Sequence, residues 1–336
     1  MSISLKDIAN KAGVCKATVS MALADNPRIS ESRRRQIKLL AWQMGYSPNM
    51  LARGLAGGMT HTVGILWSLA GPHPSLQMQQ DLSSNMQQRG YLTHVADTKK
   101  DWNVVVQALQ DYAGRRADCI VLEWNSAWRE IADLEILKGF PAVVIVTQKA
   151  EELGFDEIVH DRCASFREVA EHFVKTGRKN PSIIMTATAN REKFAAFIDT
   201  LIENELNTSA STLIEVKAQP SIHFEPQIVY DALEAYFPKG RPPFDALMCN
   251  SDEAAVAATA WLRSRGLAIP KDVALVGFNN KPITKFLDPP LASIERRDSE
   301  VVDQIMDLLF ARFENQALEP QTRHVPMKFV CRKSAG

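Results

Sequence analysis

The chain of 336 residues is roughly twice the usual length of a single domain, and 46% of it is hydrophobic, so two or three globular domains are expected. With 23% charged residues, the composition excludes a disordered or fibrous chain. The formal net charge is zero, but residues 1–60 contain nine basic and three acidic side chains, which gives +6 there and −6 in the remainder. A small basic segment on an acidic body is typical of a nucleic-acid-binding protein, since Lys and Arg displace counterions from phosphates, although a solvated basic surface would produce the same charge.

The first sixty residues predict three short helices. Leu5, Ile8 and Ala12 recur at helical spacing, and Gly13 ends this first helix. The spacing resumes over residues 16–23 after a tight turn, and again from an N-cap at Ser30 to about residue 44. Two short helices joined by a tight turn predict a helix-turn-helix whose second helix enters the major groove of DNA; a generic three-helix subdomain is the alternative.

From residue 62 onward, short apolar runs alternate with helical stretches. This alternation predicts an α/β body built from parallel sheets that helices cover on both faces. The predicted strands are 62–67, 93–96, 119–122, 142–146, 182–185, 213–216, 246–249 and 273–277, and the predicted helices are 77–89, 104–113, 166–176, 194–204, 226–236 and 254–265.

Several kinds of site are not expected. The sequence contains no G-x-S-x-G, H-E-x-x-H or P-loop motif, so no catalytic residues and no enzyme activity are predicted. The five cysteines are scattered without a C-x-x-C motif, which indicates reduced thiols and neither a metal site nor a cofactor. No signal peptide is predicted and no apolar run reaches the ~18 residues of a membrane span, so a cytoplasmic protein is expected.

The first fifty-five residues carry many fixed positions at fixed spacing: Leu5-x-Asp7-Ile8-Ala9, Ala12-Gly13-Val14, Thr18-Val19-Ser20, Gly45-Tyr46-x-Pro48-Asn49 and Ala52-x-x-Leu55. In these motifs the segment closely resembles the DNA-binding headpiece of the lactose-repressor (LacI/GalR) family. The resemblance implies a helix-turn-helix headpiece over residues 1–48, with a hinge helix and linker over residues 49–59. It also implies DNA contacts from Lys16, Ala17, Thr18, Ser20, Met21, Arg28, Ser30, Tyr46, Asn49, Ala52 and Leu55.

These implied DNA contacts differ in what they can read. Lys16 and Ala17 occupy the first exposed positions of the recognition helix, where Lys16 could donate to guanine and Ala17 offers only apolar contact. Met21 departs from the family pattern, in which an Arg is common at this position, so the base preference there stays open. Leu55 occupies the position of a leucine that wedges into the minor groove and kinks the duplex; a mere cap on the interdomain linker is the alternative.

The body carries further blocks that resemble the same family, Gly266-Leu267-x-Ile269-Pro270-x-Asp272-Val273 and Pro290-Leu291-x-Ser293-Ile294. The resemblance implies a two-lobed fold like that of periplasmic binding proteins over residues 60–336, with an effector bound between the lobes. Lobe 1 is expected over 60–159 and 291–319, and lobe 2 over 162–288 and 322–336. The chain would cross between the lobes near 159–162, 288–292 and 318–323.

The expected cleft positions depart from the sugar-binding pattern of the family, so the pocket is predicted to be present but altered. The predicted ligand-binding residues are His73, Ser75, Glu123, Trp124, Arg191, Lys193, Ser251, Asp252, Asn279 and Arg296. Lys193 with Arg191 could bind an anionic group, or could form a surface ion pair. Trp124 could stack on a ligand or pack in the core, and His73 could contact ligand or lie exposed.

We therefore predict a sequence-specific DNA-binding transcriptional regulator, of the repressor type, whose operator affinity a small sugar-like metabolite controls. A homodimer is expected because a two-fold protein matches a palindromic operator, with its surface mainly on the predicted helix 77–89 and neighbouring strands. A solute-binding protein of the same fold without a DNA role is the alternative, and an enzyme on that fold is a third. The sequence identifies neither the effector nor whether it induces or co-represses.

Overall fold

The structure is a computed structural model that describes residues 3–46, 59–68, 74–186, 191–206, 208, 212–216 and 226–336; within these ranges the side chains of Pro74, Ser75, Thr186 and Arg191 are left out. The chain divides into two units, Met1–Thr60 and His61–Gly336. We call the first unit the headpiece and the second the body.

The headpiece contains the three predicted helices, α1 (Leu5–Ala12), α2 (Lys16–Leu23) and α3 (Glu31–Gln43). A capping box begins α1: the Ser4 hydroxyl accepts a hydrogen bond from the Asp7 amide, and the Asp7 carboxylate accepts one from the Ser4 amide at 2.9 Å. Gly13 ends α1 with a φ of 64°, a left-handed conformation that favours glycine. Ser30 is the N-cap of α3 by position, but its hydroxyl makes no capping bond.

One small hydrophobic core joins the three headpiece helices. Ile8 of α1, Val19 and Ala22 of α2, and Ile37 and Ala41 of α3 are buried against one another. Part of the basic charge of α3 is used inside the headpiece, because Arg33 donates to the carbonyl of Ala12 at 3.0 Å and Lys38 pairs with Asp25. The helix-turn-helix is therefore held both by apolar packing and by contacts from α3 to the loops.

The first lobe of the body is a six-stranded sheet whose described strands all run parallel, in the order β2-β1-β3-β4-β5-β11. Near-continuous burial along β1, β3 and β4 fits a parallel sheet that is covered on both faces. Its elements are β1 (Thr62–Trp67), α4 (Pro74–Gln88), β2 (Leu92–Asp97), α5 (Trp102–Gly114), β3 (Cys119–Glu123), β4 (Ala142–Thr147) and β5 (Asp156–Val159), to which α10 (Asp298–Glu314) and β11 (Thr322–His324) return.

The second lobe is a six-stranded sheet in the order β7-β6-β8-β9-β10-β12, in which β12 runs antiparallel to β10 and the other described pairs are parallel. Two apolar clusters cover the two faces of this sheet. Its elements are α6 (Cys163–Lys175), β6 (Pro181–Thr186), α7 (Arg191–Glu203), β7 (Leu213–Val216), α8 (Pro226–Tyr236), β8 (Ala246–Cys249), α9 (Asp252–Ser264), β9 (Ala274–Phe278), β10 (Ala292–Glu295) and β12 (Lys328–Val330).

The chain crosses between the two lobes three times. The first crossing lies between β5 and α6, where it was expected. The second lies between β10 and α10 and the third between β11 and β12, so the expected positions 288–292 and 318–323 were wrong by several residues. The reason is strand pairing: β10 pairs with β9 in the second sheet, and β11 pairs with β5 in the first.

The described residues agree with the expected thiol chemistry of the interior. Cys119 and Cys249 are buried in strands, and all five cysteines are free thiols. Within the described ranges, no helix has the length and apolar character needed to span a membrane, and no cluster of His, Cys, Asp or Glu is arranged to hold a metal ion.

Candidate DNA-binding surface and interlobe site

The recognition helix α2 separates its buried and exposed residues by face. Val19 and Ala22 enter the headpiece core, whereas Lys16, Ala17 and Ser20 are exposed. Residues 16 and 20 are one helical turn apart and residue 17 is adjacent, so the three side chains share one face. The two predicted readers of base edges therefore lie on the accessible side of the helix.

The remaining predicted DNA contacts are distributed around this helix. Thr18 and Met21 are half-buried at the border of the exposed face, and Arg28 and Ser30 are exposed in the segment that precedes α3. Tyr46 is half-buried against the headpiece core. The predicted hinge contacts Asn49, Ala52 and Leu55 lie outside the described residues, so their roles stay predictions.

The sequence assigned no role to Cys15, which the structure places at the N-cap of the recognition helix. Its exposed Sγ lies 3.1 Å from the Thr18 hydroxyl, and this hydrogen bond lowers the pKa of the thiol from its usual value. The available signal was the position of Cys15 directly before the predicted helix 16–23.

Inside the body, strand ends and crossing segments converge on a small interlobe site. Trp67 ends β1, Glu123 ends β3 and Thr147 ends β4, because parallel strands bring their carboxyl ends to one edge of the sheet. Other lining residues come from lobe 1 and from the first two crossings: Met78, Trp124, Val146, Gln148, His160, Arg162 and Arg296. The free volume is about 10 Å³, so a metabolite can enter only if the lobes or side chains move apart.

Glu123 is the acidic group of this site. Its carboxylate accepts a hydrogen bond from the Ser68 amide at 3.0 Å. Burial raises the pKa of Glu123, and the positive charges of Arg162 and Arg296 oppose that rise. The structure thus places two predicted ligand residues, Glu123 and the neighbouring Trp124, at the interlobe site.

Three cations interact in this region: Arg162 and Arg296 line the site, and Lys193 lies within electrostatic range of both. The ammonium of the buried Lys193 lies 4.9–5.1 Å from the ring centroids of three phenylalanines. Burial, and then the charges of Arg162 and Arg296, lower the pKa of Lys193 to about 7. Burial, and then Arg296, lower the pKa of Arg162 to about 10, while Arg296 itself forms an ion pair with Asp298 at 3.0 Å. The three rings belong to Phe166, Phe194 and Phe278.

Arg162 and His160 are lining residues that the sequence reasoning did not name. Both lie in the first crossing, which the sequence placed at 159–162, and a crossing segment between lobes was the signal available. His160 forms a hydrogen bond with the carbonyl of Arg296, which ties the first crossing to the second. Burial, followed by the charges of Arg296 and Arg162, holds the pKa of His160 well below its usual value.

Two indole groups point unsatisfied N–H donors into this region. The Nε1 atoms of Trp67 and Trp124 are buried and have no hydrogen-bond partner among the described residues. Trp124 also packs edge-on against Trp102 and Trp128, at 6.1 and 5.7 Å between ring centroids. The ring of Trp124 therefore packs in the core, and its role in ligand binding stays a prediction.

Ser251 and Asp252 have internal roles in the second lobe. The Ser251 hydroxyl caps α9 by accepting from the Ala254 amide at 3.1 Å. The buried Asp252 carboxylate accepts from the Ser293 hydroxyl at 2.6 Å and from the Lys281 amide at 2.7 Å, and burial raises its pKa to about 6. These contacts give both residues a structural role and provide no support for the predicted ligand contact.

Asn279 follows β9 with a φ of 105°, and its buried Oδ1 has no hydrogen-bond partner among the described residues. It is the one predicted second-lobe residue with an acceptor left unpaired in this way. His73 lies outside the described residues, as do the side chains of Ser75 and Arg191, so these three stay predictions.

A wider cavity of about 450 Å³ opens beside the interlobe site and shares Gln148 and Arg162 with it. Across this cavity Lys149, which follows β4 in lobe 1, pairs with Glu192 on α7 of lobe 2 at 3.0 Å. Both side chains are about half exposed. The wider cavity is thus lined by residues of both lobes.

Comparison with known proteins agrees with this architecture. The family model "Bacterial regulatory proteins, lacI family" matches residues 4–49, and the model "Periplasmic binding protein-like domain" matches residues 170–335. The chain is 23% identical over 336 residues to the HTH-type transcriptional repressor PurR of Actinobacillus pleuropneumoniae, covering 98% of each chain. It is also 23% identical to the probable repressor ExuR of Bacillus subtilis, covering 96% of this chain and 93% of that one.

Among solved structures, the Lac repressor dimer bound to operator and the anti-inducer ONPF superposes with a TM-score of 0.83 at 18% identity, covering 100% of this chain and 99% of that chain. A helix-turn-helix headpiece followed by a two-lobed α/β body defines a DNA-binding transcription regulator with a ligand-binding domain like that of periplasmic binding proteins. The lacI-family model matches the headpiece and the periplasmic-binding-protein-like model matches much of the body, so the chain is similar to lacI-family regulatory proteins in both units.

Proposed function

We propose that this protein is a cytoplasmic transcriptional repressor that binds a palindromic operator as a homodimer and changes its operator affinity when a small molecule occupies the interlobe site. The exposure of Lys16, Ala17 and Ser20 on one face of α2 carries the DNA-binding part of the proposal. The net charge of +6 over residues 1–60 supports it, because that charge attracts the phosphate backbone.

Effector control follows from linkage between the two sites. A ligand changes operator affinity only if it binds two arrangements of the body differently. The interlobe site has room for about 10 Å³, so a metabolite favours an arrangement other than the one described. A change in the lobes of a dimer would alter the spacing of the two hinge segments, where we assign Leu55 as the minor-groove wedge.

Dimer formation is supported by the exposed edge of the first sheet. Strand β2 lies at the end of the sheet, and its apolar Leu92 and Val95 are 59% and 45% exposed. Exposed apolar side chains on an edge strand are typical of a surface that another chain covers. We place the dimer surface on β2 and the neighbouring helix α4, which also packs against α10.

The test is selection of bound duplexes by the full-length protein from a random DNA library, followed by gel-shift titration at two salt concentrations. We expect a palindromic consensus and specific binding that weakens steeply with salt. The Ile131→Asp variant, altered at an exposed position of the body and not in the headpiece, serves as a control that should select the same consensus. Recovery of unselected sequences, or binding that is equal on every duplex, would favour a solute-binding protein without a DNA role.

A further inference from the structure

We propose that the effector carries an anionic group, a carboxylate or a phosphate, that is bound by Arg162, Lys193 and Arg296 at the interlobe site. This inference rests on the proposed function, because it assigns the chemical class of the molecule that occupies the site.

The positive charge at the site exceeds the negative charge. Glu123 is the sole carboxylate among the residues that line the small cavity, and Arg296 already pairs with Asp298. Arg162 and Lys193 form no ion pair within 4.0 Å in the part of the chain that the structure describes. An unpaired buried charge is costly in a protein interior, so an anion that contacts Arg162 and a protonated Lys193 would be stabilised there.

Three lining residues of the small cavity leave N–H donors unpaired. Trp67 Nε1, Trp124 Nε1 and Arg162 Nε are all buried N–H donors without a partner among the described residues. A ligand that satisfies them has to present several acceptor atoms in a small volume. Carboxylate and phosphate groups do so, and their bonds to charged donors are stronger than those of a neutral hydroxyl.

The setting of Lys193 points in the same direction. Three phenyl rings surround its ammonium. Contacts with aromatic faces only partly replace the hydration that the ammonium loses on burial. Of its charged neighbours, Arg162 and Arg296 repel the ammonium, and the Cys163 thiol attracts it when ionised. An anion between the two lobes would compensate Lys193 and Arg162 together, which a neutral sugar cannot do.

The experiment measures thermal shift and tryptophan fluorescence of the full-length protein with matched probes. The probes are neutral sugars (glucose, fructose, ribose), the corresponding sugar acids, the corresponding sugar phosphates, and inorganic phosphate. We expect anionic members to raise the melting temperature and to change the fluorescence of Trp67 and Trp124, while neutral members do neither. The sugar-acid and sugar-phosphate arms separate a carboxylate from a phosphate ligand. Binding of neutral probes alone, or of no anionic probe, overturns the proposal.

Variants then connect the binding to the proposed cations. Lys193→Met and Arg162→Gln should each lower the affinity for the anion by about tenfold or more. Methionine has the length and apolar character to stay among the three rings. Lys138→Met removes an exposed charge from lobe 1 and should leave affinity unchanged. Full affinity in both site variants, with native circular dichroism, contradicts the assignment.

Operator binding separates this inference from the proposed function. If a neutral compound binds the site and shifts the gel-shift titration of the selected operator, the anionic class is wrong and the regulator stands. If the protein selects no operator, the proposed function fails whatever the probes show. An anion that binds the site and alters operator affinity supports both.

Discussion

Lys193 shows how one residue can oppose stability while serving a site. In the folded protein its pKa is about 7, whereas that of an exposed lysine is 10.5. Below pH 7 the ammonium is charged in both states, so the folded state carries the full penalty of burying it. Between pH 7 and 10.5 the folded side chain is neutral while the unfolded one still binds a proton, so the penalty declines as pH rises.

We therefore expect Lys193→Met to stabilise the protein at pH 6, by on the order of a few kcal/mol, since each pKa unit corresponds to about 1.4 kcal/mol. The gain should shrink steadily between pH 7 and pH 10. Urea unfolding at pH 6, 8 and 10 measures it, with Lys138→Met as the exposed control. A pH-independent effect of the substitution would contradict the titration of Lys193. Together with the expected loss of anion binding, a gain in stability would distinguish a ligand-binding role from a merely structural one.

Lys16 is the residue whose contribution to operator choice can be measured most directly. If it donates to a guanine edge, Lys16→Ala should lower specific affinity by roughly 1–3 kcal/mol and relax the preference at one half-site position. Lys11→Ala is the matched control, because Lys11 is also exposed in the headpiece but lies on α1. Gel-shift titrations against single-base operator variants distinguish the two, since the control should weaken all duplexes equally. A uniform loss for Lys16→Ala would make Lys16 a phosphate contact.

At the level of elements, apolar patterning predicted most of the fold. Eight strands and nine helices were expected within one to three residues of where they lie, because long buried runs and helical spacing are strong local signals. Helix α10 was missed. Its N-cap is Arg297, at a φ of 57° and without a side-chain cap, so the usual start signal is absent.

The short strands β5, β10, β11 and β12 were also missed as elements, although β7 and β8, which are as short as β5 and β10, were predicted. Their pairing partners are set by tertiary structure, which a local pattern does not contain. The interlobe site shares this limitation. Glu123, Trp124 and Lys193 were predicted from the family pattern, whereas Arg162 enters the site only through the path of the first crossing.

One close contact between elements explains why residue 277 is glycine. A Cβ at Gly277 of β9 would lie 2.4 Å from Asp252 Oδ1 at the start of α9. The same Asp252 atom accepts a hydrogen bond from Ser293 of β10, so it is not free to move away. Because residue 277 has no side chain, β9 can lie close to the start of α9. The buried carboxylate of Asp252 then joins α9, β9 and β10.

We expect Gly277→Ala to lower the free energy of unfolding by about 2 kcal/mol or more, because the added methyl group overpacks the interior. Asp252→Ala should also destabilise the protein, since it leaves Ser293 without its acceptor. The double variant should be less destabilised than the sum, because removal of the carboxylate makes room for the methyl group. Urea unfolding of the four proteins measures the coupling, with Gly114→Ala, where a Cβ meets no atom within 4 Å, as the control. Strict additivity would contradict the contact.

At the scale of the whole molecule, DNA binding and dimer formation depend on different units. The headpiece has its own core of buried residues, which holds the recognition helix in place. Affinity for a palindrome nevertheless requires two headpieces on one duplex, and linking two weak binding events raises the overall affinity strongly. If the proposed dimer surface and interlobe site both act as assigned, the body controls operator affinity in two ways.

Disruption of the proposed dimer surface should consequently weaken operator binding without touching the headpiece. Because Leu92 and Val95 are exposed on β2, the double substitution Leu92→Asp and Val95→Asp places two carboxylates at this edge and should leave the fold of the subunit intact. We expect a shift from dimer to monomer in sedimentation velocity, and a loss of operator affinity on the order of tenfold or more. Ile131→Asp, at a position that is 64% exposed elsewhere in lobe 1, should change neither. A dimer of unchanged stability would place the subunit contact on another face of the body and leave β2 as an ordinary sheet edge.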